Sequence, residues 1–399
     1  MGFFNKTSLN RPKPLAIIPE CGACGLYKGC QSPKMPPSGL GKYKILFVGE
    51  SPGQTEDEQG TQFVGKAGQC LRNMLMQVDE GIDLDDCWVT NSVICHPKGN
   101  NTEDKHIGFC RANVTNTIAR LKPQVIVPLG AHAIDSLISP EWGGNLGTVR
   151  KWVGWTIPSP MHKAWVCPTY HPSYVLRSNE DEPLVNEVVR HLSSAFKLLK
   201  TPCAPLNASE LAKQVEIITD PRQGALRIAE LAKKPGRVAF DYETTGLKPE
   251  RKEQHIYSVS FAWEGGCFAT LVNEDSHAAL SAFLLNTKIS KIASNLKFET
   301  RWTKQKLGHD VVNWEHCTML CAHYLDNREG ITSIKFQSYI HFGIGDYDSH
   351  IKKFLIADTD NGLNQIEKAP VRELLIYNAL DSILELRVAE KQMKQLELA

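Results

Sequence analysis

The sequence predicts an α/β protein built as two domains, and three observations predict it. At 399 residues the chain is longer than one ordinary hydrophobic core accommodates. Short apolar runs alternate with helical patterns throughout its first half. After a stretch rich in proline and small residues, 201–209, a similar alternation begins again, with no internal repeat between the halves.

Residues 44–48 (KILFV), 88–94 (WVTNSVI), 125–129 (VIVPL) and 165–170 (WVCPTY) read as short, mostly buried strands. Helical patterns lie between them, at about 67–78, 102–121 and 131–138. Strands separated by helices of this length imply βαβ crossovers and a parallel sheet covered on both faces, with active residues in loops at the strand C-termini. A helix near 183–199 closes this half. The expected boundaries are a first domain at 1–199, a linker at 200–214 and a second domain at 215–399. The second domain opens with a helix near 220–233. Strands follow at 237–241, 256–263, 267–272 and 291–294, and then a mostly helical stretch.

Composition narrows the class. With 42% hydrophobic and 22% charged residues and no low-complexity tract, the chain is that of a soluble globular protein. No apolar run reaches the length of a membrane span, and residues 1–14 lack the apolar core of a secretion signal, so a reducing cytoplasm is expected. A formal charge of +1 gives no global basic footprint, although a local basic cleft suffices for nucleic acid. Of twelve cysteines, seven fall between Cys21 and Cys110, which in a cytosolic protein suggests metal ligation before disulfides.

In the second half, Asp241 and Glu243 stand two residues apart at the end of a strand and so point to one face. Buried together they repel unless a divalent cation lies between them. Such pairs also occur as ordinary polar strand ends; two further features give this one meaning. Glu299 sits at the start of a helix that follows a strand, and Tyr377 and Asp381 share one helical face at i, i+4. Four carboxylates and a phenol are the set that two metal ions and an oriented water require for in-line phosphodiester hydrolysis.

These positions resemble the three exonuclease motifs of the DEDD superfamily, in the tyrosine-containing variety found in family A DNA polymerases. The run from Thr318 to Arg328, followed by Ser333–Phe336, also resembles bacteriophage polymerases between the second and third motifs. The resemblance implies a ribonuclease H-like fold, two Mg²⁺ or Mn²⁺ ions on Asp241, Glu243, Glu299 and Asp381, and proofreading hydrolysis of single-stranded 3′ ends. Two departures stand out. Position 299 is Glu where the family often has Asp, a ligand one methylene longer, and position 317 is Cys where Asp is common.

In the first half, Cys21-Gly-Ala-Cys24 has metal-ligand spacing compatible with zinc, iron–sulfur or redox chemistry. Cys95 and Cys110 could complete four thiolates, with Cys30 a spare candidate. Cys70, Cys87 and Cys167 read as buried small hydrophobes. The segment 48–68 is too rich in glycine and acids for a plain strand–helix connection, and it lacks the Gly-Lys-[Ser/Thr] ending of a P-loop. Tyr170-His171-Pro-Ser-Tyr174 follows the last strand on the same sheet edge as Glu50.

Together the G-E-x-P-G-x-x-E-D block, Asn91-x-x-x-Cys95 and H-P-S resemble the iron–sulfur uracil-DNA glycosylases of family 4, over about 21–199. The resemblance implies an αβα parallel-sheet fold and a 4Fe–4S cluster on Cys21, Cys24, Cys95 and Cys110, the 95-to-110 gap being slightly short. It further implies base flipping. Phe63 would stack on the extruded uracil, Asn91 would read its Watson–Crick edge, and His171 would donate to O2 of the leaving base. Glu50 or Glu56 would position water or stabilise the sugar cation, and Arg177 would touch phosphate or the minor groove. The expected function is therefore editing of DNA, including uracil-containing DNA, beside a polymerase that is a separate chain or a C-terminal continuation. The alternative is a scaffold whose glycosylase-like half only docks DNA or a polymerase.

Overall fold

Apolar side chains on both faces of the first-half strands demand cover on both sides, and the fold supplies it. In the computed structural model, which describes residues 21–78, 81–359 and 361–397, the chain divides into two units, Met1–Ala204 and Pro205–Ala399. The absence of a secretion signal in 1–14 and the outer ends of both expected domains concern residues outside the described ones.

The first unit holds β1 (Ile45–Gly49), β2 (Trp88–Asn91), β3 (Val125–Pro128), β4 (Ile157–Ser159) and β5 (Ala164–Val166), in the order β2-β1-β3-β5-β4. All pairings are parallel except β4 with β5. Ile45 and Phe47 pack with Leu71, Leu75 and Leu192 on one face, while Leu46 and Val48 pack with Val114, Ile118 and Leu137 on the other. This alternation explains why β1 reads as a continuous apolar run. Two expectations shift. The 88–94 strand stops at Asn91, where the Ser92 hydroxyl turns back to donate to the Gly49 carbonyl at 2.8 Å. The three-residue β4 was not expected, because it contains Pro158 and is too short for an alternating pattern to register.

The second unit is mixed rather than parallel. Its strands are β6 (Glu216–Ile218), β7 (Gly236–Thr244), β8 (Ile256–Trp263), β9 (Gly266–Leu271), β10 (Ile289–Ala293) and β11 (Trp314–Cys317), in the order β11-β10-β7-β8-β9-β6. β7, β8 and β9 form an antiparallel meander, β10 and β11 extend it in parallel beyond β7, and β6 pairs in parallel with β9. The short edge strands β6 and β11 were not legible in the sequence. Phe240, Phe261 and Phe268 fill one face of the sheet. On the other, the small residues Ala239 and Ala262 pack with Leu380 and Leu384 of the long helix Val371–Gln395. Asp241 and Glu243 follow Ala239 at intervals of two, so strand geometry turns both carboxylates toward that helix.

The expected linker 200–214 is only partly a connection. Its second half forms the helix Ala208–Ala212, whose Leu211 is buried with Leu384, and Leu206 N–H donates to the Phe342 carbonyl at 2.9 Å. Among the described residues no helix is long and apolar enough to cross a membrane.

Candidate active sites

In the second unit, β7 and the long helix bring Asp241, Glu243 and Asp381 together, with one carboxylate oxygen from each within 4.8 Å of the others. The extended backbone of β7 aligns the first two; Asp381 faces them across the sheet–helix contact. Asn378, one turn before Asp381, donates through Nδ2 to Asp241 Oδ2 at 2.8 Å, and its own Oδ1 accepts from Ser258 at 2.9 Å. Tyr347 and Tyr377 both hydrogen-bond Asp381 and stack with ring centroids 6.1 Å apart.

Burial and mutual repulsion dominate the electrostatics. Burial, then Asp381, pushes the Asp241 carboxyl well above the ordinary range, and Asn378 offsets only part of this. Burial followed by Asp241, Asp381 and Glu299 does the same to Glu243. Asp381 is raised by burial to about 6 despite the two tyrosine hydroxyls. Glu299, in the first turn of the helix Lys297–Leu307, is 1% exposed, and burial and then Asp241 raise it strongly. Its Oε2 has no hydrogen-bond partner. Buried acids held together without a cationic side chain, one oxygen left unsatisfied, suit hard divalent cations.

Sequence reasoning missed Asn378, Tyr347 and Glu385. Asn378 and Glu385 carried a signal, lying three residues before and four after Asp381 on a helical pattern. Tyr347 carried none, because a loop brings it in.

In the first unit, the ends of β1 and β2 bring Gly49, Asn91 and Phe63 into contact. A Cβ on Gly49 would lie 2.3 Å from Asn91 Oδ1 and 2.6 Å from the Phe63 ring, so only glycine leaves this space open. Phe63 has a φ of 54°, and a Cβ on Gly68 would lie 1.9 Å from its carbonyl oxygen. An aromatic residue in the left-handed region costs about 1–2 kcal/mol, which the packing around it must offset. Asn91 is buried and donates to Gln62 Oε1.

His171 caps the helix Pro172–Arg177. Its Nδ1 accepts from the Ser173 backbone N–H at 3.1 Å, which places the ring proton of the neutral form on Nε2. Burial holds its pKa down at about 4; Glu50 opposes this, and Arg177 and His132 reinforce it. Glu50, just after β1, lies 3.1 Å from His132 Nδ1. Burial pushes the Glu50 carboxyl up, but His132, Thr102 and His171 bring it below its ordinary value, so it is ionised near neutrality. The two acids of the first motif separate here. Glu56 Oε1 accepts from Gly65 N–H at 2.8 Å and braces the loop leading away from Phe63, leaving Glu50 beside the histidines. Arg177 is exposed at the end of its helix. His132, two residues past Gly130 on the same sheet edge, was missed in the sequence, as was Asp57, which accepts from Gln31 and Ser32 N–H at 2.9 Å each.

Cys21, Cys24, Cys95 and Cys110 line one small cavity. Lys34 N–H donates to Cys95 Sγ at 3.3 Å, and Ile94 N–H and Asn113 Nδ2 each donate to Cys110 Sγ at 3.4 Å; burial pushes both thiols up, and these donors offset part of it. Cys30 instead donates to the Leu26 and His96 carbonyls at 3.2 and 3.4 Å, as a neutral thiol does, and does not line the cavity. Among the described residues, no three cysteine sulfurs lie within 4.8 Å of one another. A single tetrahedral zinc would need sulfurs about 3.8 Å apart. Cys70, Cys87 and Cys167 are buried, as expected.

Comparison with known proteins defines the class first. Residues 37–193 match the uracil DNA glycosylase superfamily, and residues 215–397 match the 3′-5′ exonuclease family of A-type DNA polymerases. The first unit is 32% identical over 183 residues to the type-4 uracil-DNA glycosylase of Saccharolobus solfataricus, covering 45% of this chain and 83% of that protein. It is 34% identical over 183 residues to the type-4 enzyme of Thermotoga maritima, covering 91% of that protein. The chain thus belongs to the type-4 uracil-DNA glycosylase family through its first unit, and carries a 3′-5′ exonuclease domain as its second. A DNA polymerase of Bacillus phage SP01 is 23% identical over 393 residues, spanning 90% of this chain and 41% of the polymerase.

Proposed function

We propose that this protein edits DNA by two hydrolytic reactions, removing nucleotides from 3′ ends and excising uracil, as the editing part of a phage-type family A polymerase. The observation that carries the reading is the convergence of Asp241, Glu243 and Asp381 within an exonuclease-family domain. Asp241, Glu243, Glu299 and Asp381 would hold two Mg²⁺ or Mn²⁺ ions, which when bound stabilise charge on the attacking and departing oxygens of an in-line displacement. Asn378 holds Asp241 by a hydrogen bond, and Tyr377, bonded to Asp381, would orient the attacking water.

In the first unit, Phe63 and Asn91 form the floor on which an extruded uracil would stack and be read. His171, neutral and with its proton on Nε2, donates to the departing base, while ionised Glu50 stabilises positive charge on the sugar. Cys21, Cys24, Cys95 and Cys110 would hold a 4Fe–4S cluster, a reading supported by their shared cavity and by the N–H donors to Cys95 and Cys110. The glycosylase likeness covers most of the curated type-4 enzymes, and the polymerase likeness runs through nearly the whole chain. A polymerase partner, separate or continuous with this chain, and a cytoplasmic setting follow from that reading.

The test is hydrolysis of a 3′-labelled single strand with Mg²⁺ by wild type and Asp241→Ala. Loss in the variant, with alkali-labile sites still formed in a uracil-containing duplex, supports both activities. Equal degradation by the two proteins would remove the exonuclease.

A further inference from the structure

Glu385 lies one helical turn beyond Asp381 on the helix Val371–Gln395 and is 1% exposed. Its Oε1 accepts from Ser294 N–H at 3.0 Å. Ser294 follows β10 directly and begins the turn into the helix that carries Glu299. One bond therefore fixes Glu385 to the loop that positions Glu299, while the helix fixes it to Asp381.

The other oxygen of each glutamate has no partner. Six buried side-chain polar atoms among the described residues lack a hydrogen bond, and the only carboxylate oxygens among them are Glu299 Oε2 and Glu385 Oε2. No cationic side chain lies among the groups that influence either residue, whereas Asp241 acts on both. What satisfies unpaired oxygens beside three converging carboxylates is a hard cation. The trio Asp241, Glu243 and Asp381 accounts for one ion; a second needs further oxygens, since Mg²⁺ and Mn²⁺ favour six-fold oxygen coordination.

We infer that Glu385 is a fifth carboxylate of this site, acting with Glu299 to hold the second divalent cation, directly or through a bound water. The longer side chain at 299 belongs to the same arrangement: with a second ligand opposite, the ion can sit one methylene further from the helix carrying Glu299. This assignment rests on the exonuclease reading of the site.

The experiment is Mn²⁺ titration of the metal-stripped full chain, followed by calorimetry and by the electron paramagnetic resonance signal of free Mn²⁺. Wild type, Glu385→Gln and Asp241→Asn are compared. The amide oxygen of Glu385→Gln can still accept from Ser294, so the fold is kept, which circular dichroism verifies. Two ions in wild type, with the weaker bound at least tenfold less tightly in Glu385→Gln, support the assignment. Wild-type constants for both ions in Glu385→Gln, with binding lost in Asp241→Asn, would overturn it and leave the exonuclease reading standing. Unchanged Mn²⁺ binding in both variants would overturn both.

Discussion

The two sites solve opposite electrostatic problems. In the second unit, acids are buried against one another with no cationic partner, and two carboxylate oxygens remain unsatisfied. In the first, the groups are already paired: Glu50 with His132, Asn91 with Gln62, His171 with Ser173. One site leaves its acids uncompensated by any cationic side chain, the other is preorganised by its own hydrogen bonds. Folding stability and activity should therefore respond differently to the same perturbation in the two units.

The largest expected effect is chelation. Excess EDTA should abolish hydrolysis of a 3′-labelled strand while leaving uracil excision within about twofold, since the carboxylate cluster found among the described residues lies in the second unit. Loss of both activities together would break the comparison. Next, His171→Ala should lower the rate of abasic-site formation by about 10²–10³-fold, the usual cost of removing one preorganised donor, with the exonuclease rate unchanged. Parallel alkali-cleavage and 3′-label assays measure the two rates.

A smaller effect concerns stability. Mg²⁺ at about a hundredfold excess over its Kd should stabilise the second unit by about 2.7 kcal/mol. Hydrogen exchange should slow in the helix Val371–Gln395 and not in Glu182–Lys197 of the first unit. Equal slowing in both would show that the cation does not act through the acid cluster.

The smallest effect is a pH dependence of the first unit. His171 has its pKa lowered by burial to about 4 from an ordinary 6.5. The unfolded chain therefore binds a proton across that window and the folded one does not, so stability falls as pH drops from about 6.5 toward 4. Above the window the contribution is fully present. Denaturant midpoints for the first unit should show a shallower acid slope in His171→Gln than in wild type; identical slopes would remove the buried neutral imidazole from the account.

Much of this was legible in the sequence because the chemistry is local in the chain. Asp241 and Glu243 share a strand face by period two, and Tyr377 and Asp381 share a helix face by i, i+4. The apolar runs of β1 and β3 are long enough to register. Cys21 and Cys24 announced themselves by spacing. The edge strands β4, β6 and β11 were not legible, since three or four residues carry too little pattern and their pairing is set by neighbours. Nor could spacing choose between Glu50 and Glu56: both lie in one acidic segment, and only the bond from Gly65 N–H to Glu56 separates their roles.

By itself, then, the sequence determined which residue types are present, the two α/β domains they belong to and the families they resemble. Tertiary structure alone decided which carboxylates meet, because Asp381 comes from a helix far along the chain from the strand that carries Asp241 and Glu243. Their approach depends on the packing of one helix against Ala239 and Ala262 of the sheet. It also decided that Cys30 donates as a thiol and that His132 faces Glu50. Hydrogen bonds and burial depend on three-dimensional neighbours, which a pattern along the chain does not contain.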